Sequence, residues 1–223
     1  TSYFSSLEPT AIKKLPLHLQ EEAKQLKELS EKITYIHQEE QAGLGHAVLC
    51  SQQWINHEPF MLLLGDHVYS SPNEISCAKQ VVDCFEQYGA ELGVLGVYAE
   101  QLENTQYYGT VGGEWEKDSI LKLNTIKEKP TKDLVSEFLA IESGGKPSYY
   151  CVNGIYIFTP SLFDKLLLQA EQGELCHGEM QLTTAIEELI KDEGVFGYKV
   201  DGNHFDTGMP SAYVETITKI QSS

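Results

Sequence analysis

Apolar positions along this chain come in two rhythms. Phe60 to Leu64 is an unbroken apolar run that stops at Gly65-Asp66. Runs this short suit a strand buried on both faces of a sheet and are far below a membrane span. Leu92 to Tyr98, Tyr149 to Phe158 and Val195 to Val200 read as further strands. Leu19, Ala23, Leu26 and Leu29 instead recur at helical spacing, so Leu17 to Ser30 is predicted as an amphipathic helix. Ile33 to Ile36 reads as a short strand, His37 to Ala42 as a polar loop, and Gly43-Leu44-Gly45 as the start of a helix through Trp54.

Pro72 to Tyr88 is predicted helical, and Tyr107 to Ile126 a glycine-punctuated hairpin. Lys127 to Pro130 is a polar loop. Thr159-Pro160 is a helix start, Gln181 to Asp192 a helix, His204 to Met209 a loop, and Pro210 opens a last helix. Strands alternating with helices predict an α/β fold with a mainly parallel sheet flanked by helices. In such sheets ligands bind beyond the carboxyl ends of strands, which is where Asp66 stands. A Gly-Asp pair is equally the composition of an ordinary turn.

Charge narrows the function classes. The 223 residues carry 16 basic and 33 acidic side chains, a net charge of −17. A general basic surface for nucleic acid is excluded, and an anionic ligand would need a local cation. The five cysteines form no Cys-x-x-Cys pair, and an odd count argues against a disulfide framework. Reduced thiols predict the cytoplasm. The first residues lack the basic end and apolar core of a signal peptide, and no apolar run predicts a membrane partner.

Short motifs offer candidate chemistry. Gly43-Leu44-Gly45-His46-Ala47-Val48 partly matches a dinucleotide fingerprint, but Val48 occupies the third glycine position and a polar loop precedes the first. What remains is a glycine pair whose backbone N–H groups can approach a flat or anionic ligand. Glu128-Lys129-Pro130 reads as a solvated turn or as a stiffened loop presenting Lys129 to phosphate and Glu128 to hydroxyls. Glu179, in Gly178 to Thr183, is favourable near a helix N-terminus. Asp206-Thr207-Gly208 reads as an Asx turn, or as a second carboxylate that shares one Mg²⁺ with Asp66.

Taken in order, these stretches resemble one family. Gln38 with Gly43 to Val48, Leu64-Gly65-Asp66, Tyr108 to Val111, Glu128-Lys129-Pro130, Asn153 to Tyr156, Gly178 to Thr183 and Asp206-Thr207-Gly208 are similar to the sugar-1-phosphate nucleotidyltransferases. The likeness is greatest to the branch that joins UTP to glucose 1-phosphate, and it extends over nearly the whole chain. It implies a Rossmann-like α/β fold and uridylyl transfer giving UDP-glucose and pyrophosphate.

The resemblance also implies roles. Gln38 and Gly43 would recognise uracil. Gly65, Gly109, Glu128, Asn153 and Glu179 would belong to the substrate site, the last four to its glucose part. Lys129 would meet the phosphates, and Asp66 and Asp206 would bind Mg²⁺. It implies a cytoplasmic homo-oligomer. Rival readings are a thymidylyltransferase of the same family, a glycosyltransferase, and a non-catalytic sugar-nucleotide-binding fragment. Glycosyltransferases on similar folds carry Asp-x-Asp, against which His67-Val68 after Asp66 speaks. The family begins with a strand entering a Gly-x-Gly-Thr-Arg loop, which this chain lacks. The likeness therefore implies that residues 1–223 are one partial domain, N-terminally truncated, inactive alone and prone to pair through an open sheet edge.

Overall fold

The computed structural model describes residues 9–88, 91–176, 178–208, 213 and 216–218. The chain divides into two compact units, Thr1–His37 and Gln38–Ser223. In the first, a helical turn at Pro9–Ile12 precedes helix α1, Leu17–Ser30, whose bounds are those predicted. Residues 33–36 form no strand among the described residues. A β-prone tetrapeptide with no neighbouring strand cannot satisfy its backbone groups as a ladder.

The second unit is a mixed sheet with helices on both faces. Its strands are β1 Phe60–Leu63, β3 Gly93–Glu100, β4 Thr110–Lys117, β5 Ile120–Lys127, β6 Ile141–Ser143, β7 Lys146–Phe158 and β8 Val195–Lys199. The order is β1-β7-β3-β8-β5-β4, with β6 beside β7. Only β3–β8 is a directly parallel neighbour pair among the described strands. Following the pairings, β1, β3, β4, β6 and β8 still run one way, and β5 and β7 the other. The expected common direction survives because β7 is threaded antiparallel between β1 and β3.

Alternation along β7 builds both halves of the core. Tyr150, Val152, Tyr156 and Phe158 face one cluster, which takes in helices α4, Ser161–Gln172, and α5, Leu182–Asp192. Ile155 and Ile157 face the other, covered by α3, Cys77–Gln87. In α5 the buried residues are Leu182, Ala185, Ile186, Leu189 and Ile190, one helical stripe. In α3 they are Cys77, Gln80, Val81, Cys84 and Phe85. Ser76 caps α3 by accepting from the Lys79 backbone N–H at 3.2 Å, so the helix starts there rather than at Pro72.

Other expectations shift. The helix over Gly43 to Trp54 is split into α2, Leu44–Leu49, and a turn at Gln52–Ile55, where the Ser51 hydroxyl bonds the Val48 carbonyl at 2.6 Å. β1 is not buried on both faces: it pairs with β7 alone among the described strands, and Leu63 is 50% exposed. Place in the sheet, not the apolar run itself, sets that burial. The loop expected over His204 to Met209 begins as a strand, and only residues 207 and 208 of it are irregular among the described residues. That strand is β9, Asn203–Asp206, which pairs antiparallel with β2, His67–Ser70. Of the helix expected from Pro210, residues 213 and 216–218 are described and are helical; the rest of that stretch lies outside the described residues.

Glu187 on α5 fixes the end of β5. It accepts from the Ile126 N–H at 2.7 Å, the Thr125 hydroxyl at 3.0 Å and the Lys127 ammonium at 3.0 Å. Burial would raise its carboxyl, but these donors outweigh burial and hold it below the usual carboxylate range. A lowered folded pKa gives stability that is present above the unfolded value of about 4.3 and lost as pH falls through the folded one. Glu187→Gln should cost roughly 1–3 kcal/mol at pH 7 by urea denaturation. The gap between variant and parent should close below pH ~4; a gap independent of pH would show that charge is not what Glu187 contributes.

Candidate functional site

The site begins at the tip of β1. The chain turns at Gly65, where a Cβ would meet nothing within 4 Å, and re-enters order as β2. Register sets His67 opposite Asp206, Val68 opposite Phe205 and Tyr69 opposite His204. The ladder continues past its end: the Asp66 carbonyl accepts from the Thr207 backbone N–H and hydroxyl, both at 2.7 Å. The Gly208 N–H caps the Asp206 carboxylate at 2.8 Å. Two carboxylates 140 positions apart in sequence are thereby brought side by side. Asp66, His67 and Asp206 each offer a ligand atom, all within 4.8 Å of one another. Gly208 is part of this cradle, since a Cβ there would lie 3.0 Å from an Asp66 oxygen and 3.1 Å from an Asp206 oxygen.

Anchors from the core hold both strands. Gln80 of α3 clamps the Asp201 peptide, donating to its carbonyl and accepting from its N–H at 2.8 Å each, so the turn into β9 is tied to a buried helix. The Tyr69 hydroxyl donates to the Asn153 carbonyl at 2.6 Å, and the Leu64 N–H to the Gly154 carbonyl at 3.1 Å. The His67 and His204 rings meet with Nδ1 and Nε2 2.5 Å apart. Burial, then the neighbouring His67, pushes the His204 imidazole down to about 4. Burial, then Asp66, raises the Tyr69 phenol, keeping it neutral.

A cavity of about 260 Å³ opens beside these residues. Asp66, Asp206, Gly109, Glu128 and Lys129, all candidates from the sequence, line it together. Gly109 leads into β4, and a Cβ on it would meet Val152 at 3.0 Å and Thr183 at 3.4 Å. Lys129 follows β5 with a positive φ of 43°, immediately before Pro130. Its N–H is bonded to the Tyr108 carbonyl at 3.2 Å, and its exposed ammonium stands 3.9 Å from the Glu128 carboxylate. A bulky side chain in that backbone region is uncommon and is retained where surrounding structure determines it.

Gln38, Gly43 and Glu179 form a second group. The Gln38 amide donates to the Gly43 carbonyl at 3.2 Å and contacts His46 Nδ1 at 3.0 Å. Residues 42–45 pair with the turn after Glu179: the Met180 N–H donates to the Ala42 carbonyl at 2.8 Å and the Gly45 N–H to the Met180 carbonyl at 2.9 Å. Gly43 has φ of 100°, and a Cβ on it would lie 2.9 Å from that of Glu179. Leu44, Gln181 and Leu182, from the same two stretches, reach the cavity wall. Gly65 and Asn153 do not line it. Asn153 is 1% exposed, and its side-chain oxygen accepts from the Ile155 N–H at 3.2 Å.

The motifs also passed over some wall residues. Tyr108 and Thr183 sat inside quoted motifs as neighbours only. His67 was noted beside Asp66 without a role, and His204 gave no local signal, because their pairing needs β2 and β9.

Gly154 tests how tightly this corner is built. It has φ of 80°, and a Cβ would lie 2.8 Å from the Tyr69 hydroxyl and 2.9 Å from His67 Nδ1. Gly154→Ala should lower Tm by several degrees and loosen β2, seen as faster amide exchange at Val68 and Tyr69. Unchanged exchange there would mean that β2 is held independently of β7.

Comparison with known proteins places the fold and the family. A UTP–glucose-1-phosphate uridylyltransferase 2 of Staphylococcus saprophyticus is 35% identical over 184 residues, 82% of this chain and 57% of that protein. This chain thus spans little more than half the length of that relative. The crystal structure of an apo UDP-glucose pyrophosphorylase superposes with a TM-score of 0.82 at 24% identity, over 99% of this chain and 76% of that one. A UDP-glucose pyrophosphorylase complexed with UDP-glucose gives 0.76 at 24% identity, over 94% and 74%. Both structural likenesses bear on the fold, which is the mixed α/β architecture described above. The family model for nucleotidyl transferase matches residues 11–223, and the chain belongs to that family.

Proposed function

We propose that the protein carrying this chain is a UTP–glucose-1-phosphate uridylyltransferase, forming UDP-glucose and pyrophosphate from UTP and glucose 1-phosphate. The observation that supports the reading most is the shared cavity. Asp66, Gly109, Glu128, Lys129 and Asp206 come from four separate motifs and line one space. The named relatives carry the same activity in their descriptions.

The chemistry requires positioning more than acid–base work. A sugar phosphate is largely dianionic at pH 7, its second pKa being about 6, so its oxygen attacks without a general base. The obstacle is bringing two polyanions into line. Asp66 and Asp206 suit a divalent cation, for which we propose Mg²⁺: they are neighbouring oxygen donors, with Gly208 leaving room between them. When bound, such an ion supplies positive charge to phosphate oxygens. Lys129 adds an ammonium beside it. Glu128, 31% exposed at the cavity wall, suits sugar hydroxyls. Gln38 and Gly43, at the start of α2, suit the flat base, and Glu179 lies against Gly43. Asn153 supports the reading indirectly, by holding the backbone to which Tyr69 is bonded. The free thiols of Cys50, Cys77, Cys84 and Cys151 agree with a cytoplasmic setting. Homo-oligomeric assembly is part of the same reading.

Pyrophosphate release by the full-length protein from UTP and glucose 1-phosphate tests the proposal, with dTTP as the comparison. Asp66→Asn should lower turnover on the order of 10²-fold or more while leaving the thermal transition in place, as expected when charge stabilisation is removed. Absence of turnover with every nucleoside triphosphate and sugar phosphate pair would reject the assignment.

The two lysines of the β5 loop give a sharper comparison. Lys127 is engaged by Glu187 at 3.0 Å, away from the carboxylate pair, whereas Lys129 lines the cavity. Lys129→Ala should raise KM for glucose 1-phosphate and lower kcat, about 10-fold or more in kcat/KM, the scale of one lost charged contact. Lys127→Ala should act on stability. Equal, mild kinetic losses in both would reduce the loop to a solvated turn.

A further inference from the structure

The cation site holds a nitrogen donor as well as oxygens. His67 Nε2 lies 3.6 Å from an Asp66 oxygen, and its strand register sets it directly opposite Asp206. Its side chain is only 10% exposed, against 56% for Asp66. The ring is not free to turn. On its other side Nδ1 meets His204 Nε2 at 2.5 Å, and His204 packs at a tilt against His67, Tyr69 and Tyr98, with ring centroids 4.6, 5.8 and 4.7 Å away. Gly154 closes the remaining side, leaving no space for a Cβ against Nδ1.

Two imidazole nitrogens in hydrogen-bond contact share one proton. Carried on His67 Nδ1 and donated to His204, it leaves the Nε2 lone pair directed toward the carboxylates. That is the usual arrangement of a ligating histidine: one nitrogen toward the ion, the other N–H held by a second partner that fixes tautomer and ring plane.

We infer that His67 is a third protein ligand of the Asp66–Asp206 site and that it shifts the site's preference from Mg²⁺ toward a first-row transition ion such as Mn²⁺ or Co²⁺. The inference rests on the proposed reading of the carboxylate pair as a cation site. Mg²⁺ is a hard ion that takes oxygen ligands and keeps its waters. A nitrogen donor adds little for Mg²⁺ and more for the first-row ions, rising from Mn²⁺ to Co²⁺, so an Asp–Asp–His set discriminates where two carboxylates alone do not. The inference bears on which ion the site prefers and leaves the proposed reaction unchanged.

The test uses the chelator-stripped full-length protein and Mn²⁺ as the probe, read by electron paramagnetic resonance and competed with Mg²⁺. Mn²⁺ should bind at least tenfold more tightly than Mg²⁺. Pulsed spectra of bound Mn²⁺ should carry the ¹⁴N coupling of one directly bound imidazole. His67→Asn should remove that coupling and bring the Mn²⁺ to Mg²⁺ ratio close to unity, while Asp66→Asn should weaken both ions. Mn²⁺ binding that needs Asp66 but shows no ¹⁴N coupling in the unaltered chain would overturn the role of His67 and leave the carboxylate site standing. That spectrum decides the matter even if His67→Asn fails to fold. Mn²⁺ binding unaffected by Asp66→Asn and Asp206→Asn would overturn the carboxylate site itself, and His67 as its ligand with it.

Discussion

The constraint on which the site depends is the antiparallel insertion of β7 between β1 and β3. Asn153 and Gly154 interrupt the apolar run of Tyr149 to Phe158 in it. β3 changes register between Leu95 and Val97, and Gly96 makes room there: a Cβ on it would lie 2.4 Å from the Asn153 side-chain oxygen. With Asn153 folded back onto the Ile155 N–H, the peptides on either side are free to face outward. Their carbonyls receive the Tyr69 hydroxyl and the Leu64 N–H. A polar group buried to 1% exposure is costly unless bonded, so this Asn is retained for the backbone that it shapes. The β2–β9 ladder, and with it the pairing of Asp66 with Asp206, is built on that backbone.

Most regular elements were legible in the sequence because their apolar periods are strong. α1 and α5, with buried stripes or amphipathic spacing, match to within a residue. The elements that were missed are short and polar. β2 and β9 have Val68 and Phe205 as ordinary partners, but their other members are His, Tyr, Ser, Asn and Asp. Nothing local distinguishes such tetrapeptides from loops. They are strands because Gln80 and Tyr69 hold their backbones within reach of each other. Ile33 to Ile36 shows the converse, with good propensity and no partner strand among the described residues.

The candidate site was legible for a related reason. Its carboxylates, lysine and glycines each sit where a regular element ends, which a sequence marks by Gly, Asp and Pro. What periodicity could not supply was which ends meet. Asn153 illustrates the limit: a polar residue in a strand motif looks like a ligand contact, and only its register against Gly96 turns it inward. His67 illustrates the opposite limit. It looked incidental beside Asp66 because the residue that orients it, His204, is 137 positions away.

Charge gives these pieces an order of assembly. All 16 basic residues of the sequence are Lys, so no guanidinium within the chain can grip a phosphate bidentately. Among the described residues lining the cavity, Lys129 stands alone against the carboxylates of Asp66, Glu128 and Asp206. An anion approaching that wall meets repulsion from two of them unless a cation lies between. On the proposed reading, cation and phosphate then raise each other's affinity by the same factor, since coupling between two bound ligands is reciprocal. The strained backbone of Lys129 belongs to the same logic. A lysine held at φ of 43° ahead of Pro130 has its loop fixed before substrate arrives, so less ordering remains to be done on binding. On the proposed reading, an acidic chain receives polyanions at one point on its surface, where a carboxylate pair and a single restrained ammonium face the same 260 Å³ of space.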